Sequence, residues 1–237
     1  RISLEPGKTL LWLWLKDSLS KIKGIEGADL AGGSMFNKTF FKTKKYICVD
    51  INQIKLDEGK KRNPDAKVFN LTIQDYLKNN TESHDVLVCV QTMGTNGLFD
   101  HEETIKVVHQ MYKALRKGGS MVFNVGSVGI DIEDMNKKLS QFFEGKFESI
   151  DKRFYGAFHF DTGKPRWKVN QGEVVRINEN IFNKKKSRFE NIFFPLTHRL
   201  RVVFSLLVAF IMHFCSPLRT AFGRKKHKLF LFCRGKI

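Results

Sequence analysis

At 237 residues, with 42% hydrophobic and 27% charged residues, the chain has enough apolar material for one full core, which excludes a disordered or fibrous protein. Its net charge of +17 is unevenly placed: residues 184–237 carry 13 Lys/Arg against one acid, Glu190, and so hold +12 of it. The first 183 residues are ordinary in charge, and the basic end points to an anionic partner, whether phospholipid, phosphorylated substrate or nucleic acid.

The sequence opens on Arg1 and shows no basic, then apolar, then small-residue leader, so nothing argues for secretion and a cytoplasmic location is expected. Cys48, Cys89, Cys215 and Cys233 have no metal-ligand or redox spacing. Three of them fall in apolar, strand-like runs. That predicts small buried side chains in a reducing compartment, not zinc ligands or disulfides.

Taken in chain order, residues 10–22 (LLWLWLKDSLSKI) have a helical apolar stripe and predict a helix that caps the core. Residues 28–31 read as a short first strand, 46–50 (YICVD) as a second, and 52–62 as a charged helix closed by Asn63-Pro64. A third strand is expected at 67–71 (KVFNL) and a fourth at 85–90 (DVLVCV), continuously apolar as a central parallel strand is. An amphipathic helix over 103–115 stops at Lys117-Gly118-Gly119, and 120–125 (SMVFNV) is the fifth strand. This alternation predicts an α/β fold with a doubly wound, mostly parallel, Rossmann-like sheet.

Beyond Gly129 the rhythm breaks. Residues 137–143 read as a helix, 147–160 as a strand with turns, and 161–183 as polar and irregular. The apolar run 202–215 (VVFSLLVAFIMHFC), set between Arg199/Arg201 and Pro217/Arg219, predicts a helix over 199–216, and 228–234 (KLFLFCR) a last strand. One domain is therefore expected over 1–237: an N-terminal helix within 1–27, a core at 28–130, an elaborated region at 131–227 inserted before the last strand, and that strand within 228–237.

The most telling stretch is the turn at 27–35 (GADLAGGSM), followed one element later by Asp50 at the end of a strand. Small residues let the backbone come close to a ligand, and a strand-end acid accepts hydrogen bonds from two ribose hydroxyls. The pairing narrows the function to binding a nucleoside cofactor.

Set in order, these pieces resemble a class I S-adenosylmethionine-dependent methyltransferase over residues 27–127 and the final strand. In that family's first motif, Asp29, Ala31, Gly33 and Met35 take the alternating positions, and Gly32 sits where the family often has Cys or another small residue. Ala31 and Met35 depart from the pattern, Met35 more so. The resemblance implies S-adenosylmethionine as cofactor, Asp50 as the ribose acid, and Ile51 against the adenine. It sets Asn70-Leu71 at the third strand's end, with Asn70 accepting from the adenine amino group and Asp75 as a rival for that role. Gln91-Thr92-Met93 would lie beside the sulfonium and the acceptor, and residues 115–119 (LRKGG) resemble the turn into the fifth strand. The implied cofactor set is thus Asp29, Ala31, Gly32, Gly33, Asp50, Ile51, Asn70, Leu71 and Gln91, which makes 28–130 the cofactor-binding core and 131–227 the substrate side.

A nicotinamide dehydrogenase would need G-x-G-x-x-G, but from Ala31 the chain reads A-G-G-S-M-F; a Walker-type G-x-x-x-x-G-K-[ST] is absent too. From a different class, a non-catalytic protein of the same fold acting as an interaction module is the alternative. Candidates for a general base are His101, Tyr155, His159 and Asp161, because a histidine titrating near neutral pH suits that task; each also reads as a structural or surface residue. Gln91-Thr92-Met93-Gly94 lacks the Asn/Asp-Pro-Pro-aromatic tetrapeptide of exocyclic-amine nucleic-acid methylases, so RNA is the lesser partner despite the basic end. A small-molecule, glycan or lipid-linked acceptor methylated on oxygen is expected instead. The 202–215 run would make a helix of about 21 Å, short of the ~30 Å hydrocarbon core. With basic runs at 184–188 and 224–228, it fits an interfacial helix on anionic lipid or a buried helix of the substrate side, and both readings stay open.

Overall fold

Strand formation follows the β-branched and apolar runs of the sequence. The computed structural model describes residues 6–95, 99–156, 166–170, 173–177 and 226–237, with separate helical positions between 200 and 214. Two compact units are present: Leu15–Phe154 with Lys226–Ile237, and Arg1–Trp14 with Tyr155–Lys225. The strands are β1 (Gly24–Leu30), β2 (Thr43–Val49), β3 (Lys67–Phe69), β4 (His84–Cys89), β5 (Leu115–Gly126), β6 (Phe147–Gly156), β7 (Arg166–Asn170), β8 (Glu173–Ile177) and β9 (Lys226–Lys236). The helices are α1 (Pro6–Ser20), α2 (Gln53–Arg62), α3 (Ile73–Lys78), α4 (His101–Ala114) and α5 (Ile132–Phe143).

Seven strands form one sheet in the order β3-β2-β1-β4-β5-β9-β6. The pairs β1–β2, β2–β3, β1–β4 and β4–β5 are parallel, and β9 runs antiparallel to β5, with Phe123 opposite Leu231. The doubly wound, mostly parallel architecture expected from the sequence is the one that forms. The last strand enters the sheet inside β6, because its alternate residues Leu229, Leu231 and Cys233 are apolar enough to join the buried core.

Side chains alternate across the sheet as the strand period requires. Ile47 and Val49 of β2 face the main core, where Val107, Val108, Met111 and Ala114 of α4 and Ile132, Met135, Leu139 and Phe143 of α5 pack. Tyr46 and Cys48 face the other side, against Met35, Leu56 of α2 and Ala66. Full burial of each large apolar side chain contributes about 1.5–3 kcal/mol. α4 shows why its stripe is helical: buried Thr104, Val107, Val108, Met111 and Ala114 recur at three- and four-residue spacing, and Asp100 with Glu103 forms a complete capping box.

Several boundaries differ from the sequence reading. β1 begins at Gly24, four residues early, because the Asp85 carboxylate accepts from the N–H groups of Ile25 and Glu26 at 2.7 and 2.8 Å. Only glycine fits at 24, where a Cβ would lie 2.5 Å from the Asp85 Cβ. α3 was not expected; Thr72 caps it, accepting from Asp75 N, and its six residues are too few for a periodic signal. The LRKGG segment belongs to β5, whose pairing with β4 shifts register between His84 and Val86. Within 161–183, expected to be irregular, β7 and β8 form an antiparallel hairpin with Trp167 opposite Arg176. Both strands carry a period-two alternation, Trp167 and Val169 in β7 and Val175 and Ile177 in β8, and antiparallel pairing joins them.

At the N-terminal rim of the sheet, buried His84 stacks on Tyr76, with Tyr76 Oη 3.2 Å from its Nε2. Its Nδ1 has no hydrogen-bond partner, and Glu26 Oε1 lies 3.8 Å away. Burial drives the His84 pKa down to about 4, with Arg116 adding to the shift. Cys48, Cys89 and Cys233 are fully buried free thiols, and burial pushes that of Cys89 up to about 12. No helix among the described residues is long and apolar enough to cross a membrane, and no group of three or more His/Cys/Asp/Glu among them could hold a metal.

Candidate functional site

In an open α/β sheet the crevice forms where the strand order reverses, here between β1 and β4 at their C-terminal ends. Register sets the floor of this crevice: Leu30 lies beside both Val49 and Cys89, so the chain leaves the sheet side by side at Ala31, Asp50 and Val90. Three non-glycine residues in these loops take left-handed backbone: Ala31 at φ 55°, Met35 at 60° and Gln91 at 59°. Such conformations cost about 1–3 kcal/mol each and cluster where a ligand is gripped.

Asp29 is the penultimate residue of β1 and is fully buried. Tyr46 Oη donates to its Oδ2 at 2.8 Å and Asn37 Nδ2 to its Oδ1 at 3.3 Å. Burial pushes its pKa up to about 7, against the pull of these two donors. Asp29 therefore shapes the turn from inside. At Gly32 a Cβ would lie 2.7 Å from Asp29 Oδ2 and 2.8 Å from Cys48 Sγ, so glycine is needed there for room. Gly33 is different: a Cβ would meet only Lys55 Cδ at 3.4 Å and Asp50 Oδ2 at 3.6 Å, and its requirement is a φ of +51°. Met35, a departure from the family pattern, turns away from the crevice. It is buried in the smaller core and packs over Gly59 of α2, where a Cβ would be 2.8 Å from Met35 Cγ.

The half-buried Asp50 joins the turn to the second strand. Gly33 N donates to its Oδ2 and Asn52 N to its Oδ1, each at 2.8 Å. A carboxylate has about four acceptor positions, so lone pairs on both oxygens are left for a ligand. Exposed Asn70 donates its Nδ2 to Asp50 O at 3.1 Å, and its Oδ1 is an acceptor not used in that bond. Ile51 is 51% exposed and Leu71 39% exposed, two apolar side chains on the rim beside these polar groups. Asp75 serves α3 instead, accepting from Thr72 Oγ1 at 2.7 Å.

Across the crevice, Gln91 is half-buried while Thr92 and Met93 are buried, Met93 in the main core. Of the three residues expected beside an acceptor, only Gln91 is open to one. Its N–H donates to the Oδ1 of buried Asn124 on β5 at 2.8 Å. Sequence reading missed Asn124; the available signal was a lone amide inside the apolar run SMVFNV. The loops after β4 and β5 then close on each other. Gly126 N donates to Met93 O and Val128 N to Gly94 O, both at 2.9 Å, and a Cβ on Gly94 would lie 2.1 Å from Gly126 O.

His101 opens α4, with its Nε2 3.2 Å from Asp134 Oδ2 and 3.2 Å from Lys138 Nζ, both on α5. Tyr155 lies in β6, but its side chain is outside the described residues, as are His159 and Asp161.

No protein-family model and no curated protein matches the sequence. Solved structures do. A SAM-dependent methyltransferase from Archaeoglobus fulgidus aligns over 95% of this chain and 93% of its own, at 12% identity and a TM-score of 0.52. The plantazolicin methyltransferase BamL, solved with a desmethyl analogue and SAH, aligns over 97% and 85% at 10% identity and a TM-score of 0.52. The N-methyltransferase NodS from Bradyrhizobium japonicum aligns over 65% and 89% at 17% identity and a TM-score of 0.50. The fold of this chain is the class I S-adenosylmethionine-dependent methyltransferase fold.

Proposed function

We propose that the chain is a methyltransferase that takes S-adenosylmethionine as its donor and methylates an oxygen of a small-molecule, glycan or lipid-linked acceptor in the cytoplasm. The observation that carries this reading is Asp50: two backbone N–H groups fix its carboxylate while lone pairs on both oxygens stay free. Those lone pairs suit the adjacent hydroxyls of a ribose. Asn70 Oδ1 suits the exocyclic amine of adenine, and Ile51 and Leu71 offer apolar surface to the purine ring. Ala31, Gly32 and Gly33 would let the backbone come close to the donor, buried Asp29 holds their turn, and Gln91 would lie beside the sulfonium and the acceptor. The residues present therefore fit the cofactor, and Ala31 and Phe36 stand where a dehydrogenase would have the first and third glycines of its turn.

When bound, the donor supplies a sulfonium-activated methyl group for in-line displacement. The chain's own part is to hold the donor and align the acceptor. His101 Nδ1 is proposed to take the proton of an acceptor hydroxyl, with its Nε2–H donating to Asp134, whose carboxylate Lys138 Nζ also pairs at 3.0 Å. Tyr155 and His159 are proposed for the same role on sequence grounds.

Calorimetry with S-adenosylhomocysteine tests the donor site. Asp50→Ala should weaken binding by about 1.5–3 kcal/mol with the fold intact, the loss of charge-assisted hydrogen bonds. Unchanged affinity in a folded variant would remove Asp50 from the site. Labelled methyl groups traced into small-molecule, glycan, lipid and RNA fractions of an extract test the acceptor. Label in RNA alone would reassign it to nucleic acid, and donor binding without any label would favour a non-catalytic role.

A further inference from the structure

We propose that the described helical positions between 200 and 214 present a docking face for an anionic lipid bilayer, on which they lie flat. The inference does not depend on the donor site. Its basis is an inverted pattern of burial. Leu200, Val203, Leu207, Phe210, Ile211 and Phe214 are exposed, by 41% to 76%, while Ala209 is fully buried and His213 nearly so. At 3.6 residues per turn those six side chains fall within an arc of about 100°, and Ala209 lies opposite its centre. A helix on the surface of a water-soluble protein puts its large apolar residues inward. This one turns a small residue and a histidine inward and presents Leu, Val, Ile and Phe outward. A contiguous apolar stripe of this kind marks an interaction surface.

Charge selects the occupant. Arg199 and Arg201 precede the stripe and Arg219 follows it, and the runs 184–188 and 224–228 add further Lys/Arg, all within the segment that carries +12. Apolar residues on one face of a helix bracketed by basic clusters match a bilayer interface with anionic headgroups, where each cation near the surface adds to the attraction. An apolar protein partner would not need the cations, and a nucleic acid would not need the stripe. At helical rise the stretch from Leu200 to Phe214 spans about 21 Å, short of the ~30 Å hydrocarbon core, so the helix lies in the interface.

Co-sedimentation of the full chain with phosphatidylcholine vesicles, with and without phosphatidylserine, tests this. Binding to the anionic vesicles at low salt, release by added salt and little binding to neutral vesicles are expected. Leu207→Ser/Phe214→Ser and, separately, Lys184, Lys185, Lys186 and Arg188 all to Ser should each weaken vesicle binding by about tenfold or more. Phe214 is 76% exposed, so Phe214→Ser alone tests the stripe without touching the core. Unchanged S-adenosylhomocysteine affinity in these variants keeps a failed vesicle result distinct from a failed donor site. Absence of binding to anionic vesicles at low salt would overturn the proposal. So would self-association that Phe214→Ser abolishes without any vesicle binding, which assigns the stripe to a second copy. RNA binding that only the charge variant abolishes, again without vesicle binding, would overturn it too.

Discussion

The two rims of the sheet each bury a titratable side chain, and they treat it in opposite ways. At the C-terminal rim, Asp29 is pushed up to about 7 and held by Tyr46 and Asn37, inside a turn that needs left-handed backbone at Ala31, Gly33 and Met35. At the N-terminal rim, His84 is pushed down to about 4 beside Tyr76, and the neighbouring Asp85 caps β1 with ordinary hydrogen bonds. Desolvation disfavours charge at both ends. Left-handed backbone and exposed apolar side chains occur at both rims, since Glu82, two residues before His84, has φ 48° and Ile25 is 51% exposed. What the C-terminal rim adds is Asp50, fixed by two backbone N–H groups with lone pairs to spare. A buried ionisable group alone does not mark a site; free acceptors on a strained, preorganised turn do.

The largest effect that tests this contrast is its pH dependence. Between about pH 4 and 7 the folded chain keeps a proton on Asp29 that the unfolded chain has released, so stability falls as pH rises. The loss is about 1.4 kcal/mol per unit and about 4 kcal/mol across the window. From about pH 4 to 6.5 the unfolded chain binds a proton that buried His84 refuses, so its contribution rises with pH by about 3 kcal/mol. The two limbs oppose and largely cancel in the native protein. Urea unfolding against pH should separate them. The stability of Asp29→Asn relative to wild type should climb by about 4 kcal/mol from pH 4 to 8, and that of His84→Gln should fall by about 3 kcal/mol from pH 4 to 7. Flat differences would show that neither group is held neutral.

Next in size is a pair of glycines, one near each rim, both at positive φ. Gly94→Ala should cost about 3 kcal/mol or more, because its Cβ meets the backbone oxygen of Gly126 and neither loop can move alone. Gly118→Ala, with nothing within 4 Å of its Cβ, should cost only the left-handed conformation, about 1–2 kcal/mol. Equal losses on denaturant titration would break the contrast. Comparable to Gly118→Ala is Asn124→Leu, which leaves Gln91 N without its acceptor and should cost about 1–3 kcal/mol. S-adenosylhomocysteine affinity should fall in the same variant, since the left-handed backbone at Gln91 is then less firmly held.

Much of the contrast was legible in the sequence. The β1 turn and Asp50 stood out because a small-residue run next to a strand-end acid is a local signal, and the parallel sheet followed from its alternating elements. The reason for each glycine was less legible: room at Gly32 and backbone conformation at Gly33 look identical in a sequence, and they differ only in what stands nearby. α3 is missed because a six-residue helix has too few turns for a period, and β7 and β8 because each alternates over only five residues inside a largely polar stretch.

What the sequence determined by itself was the strand and helix order, the acid at position 50 and the basic C-terminal segment, since each rests on residues that are neighbours in the chain. Tertiary structure alone decided which groups remain free to bind. Asp75 is taken up by a helix cap, Met93 by the core and Asn124 by Gln91 N, while Asp50 keeps lone pairs and Ile51 and Leu71 stay exposed. It also decided the outward turn of the stripe from Leu200 to Phe214. The physical reason is common to both: whether a polar group is satisfied, or an apolar face covered, depends on partners brought from distant parts of the chain, and no local pattern records them.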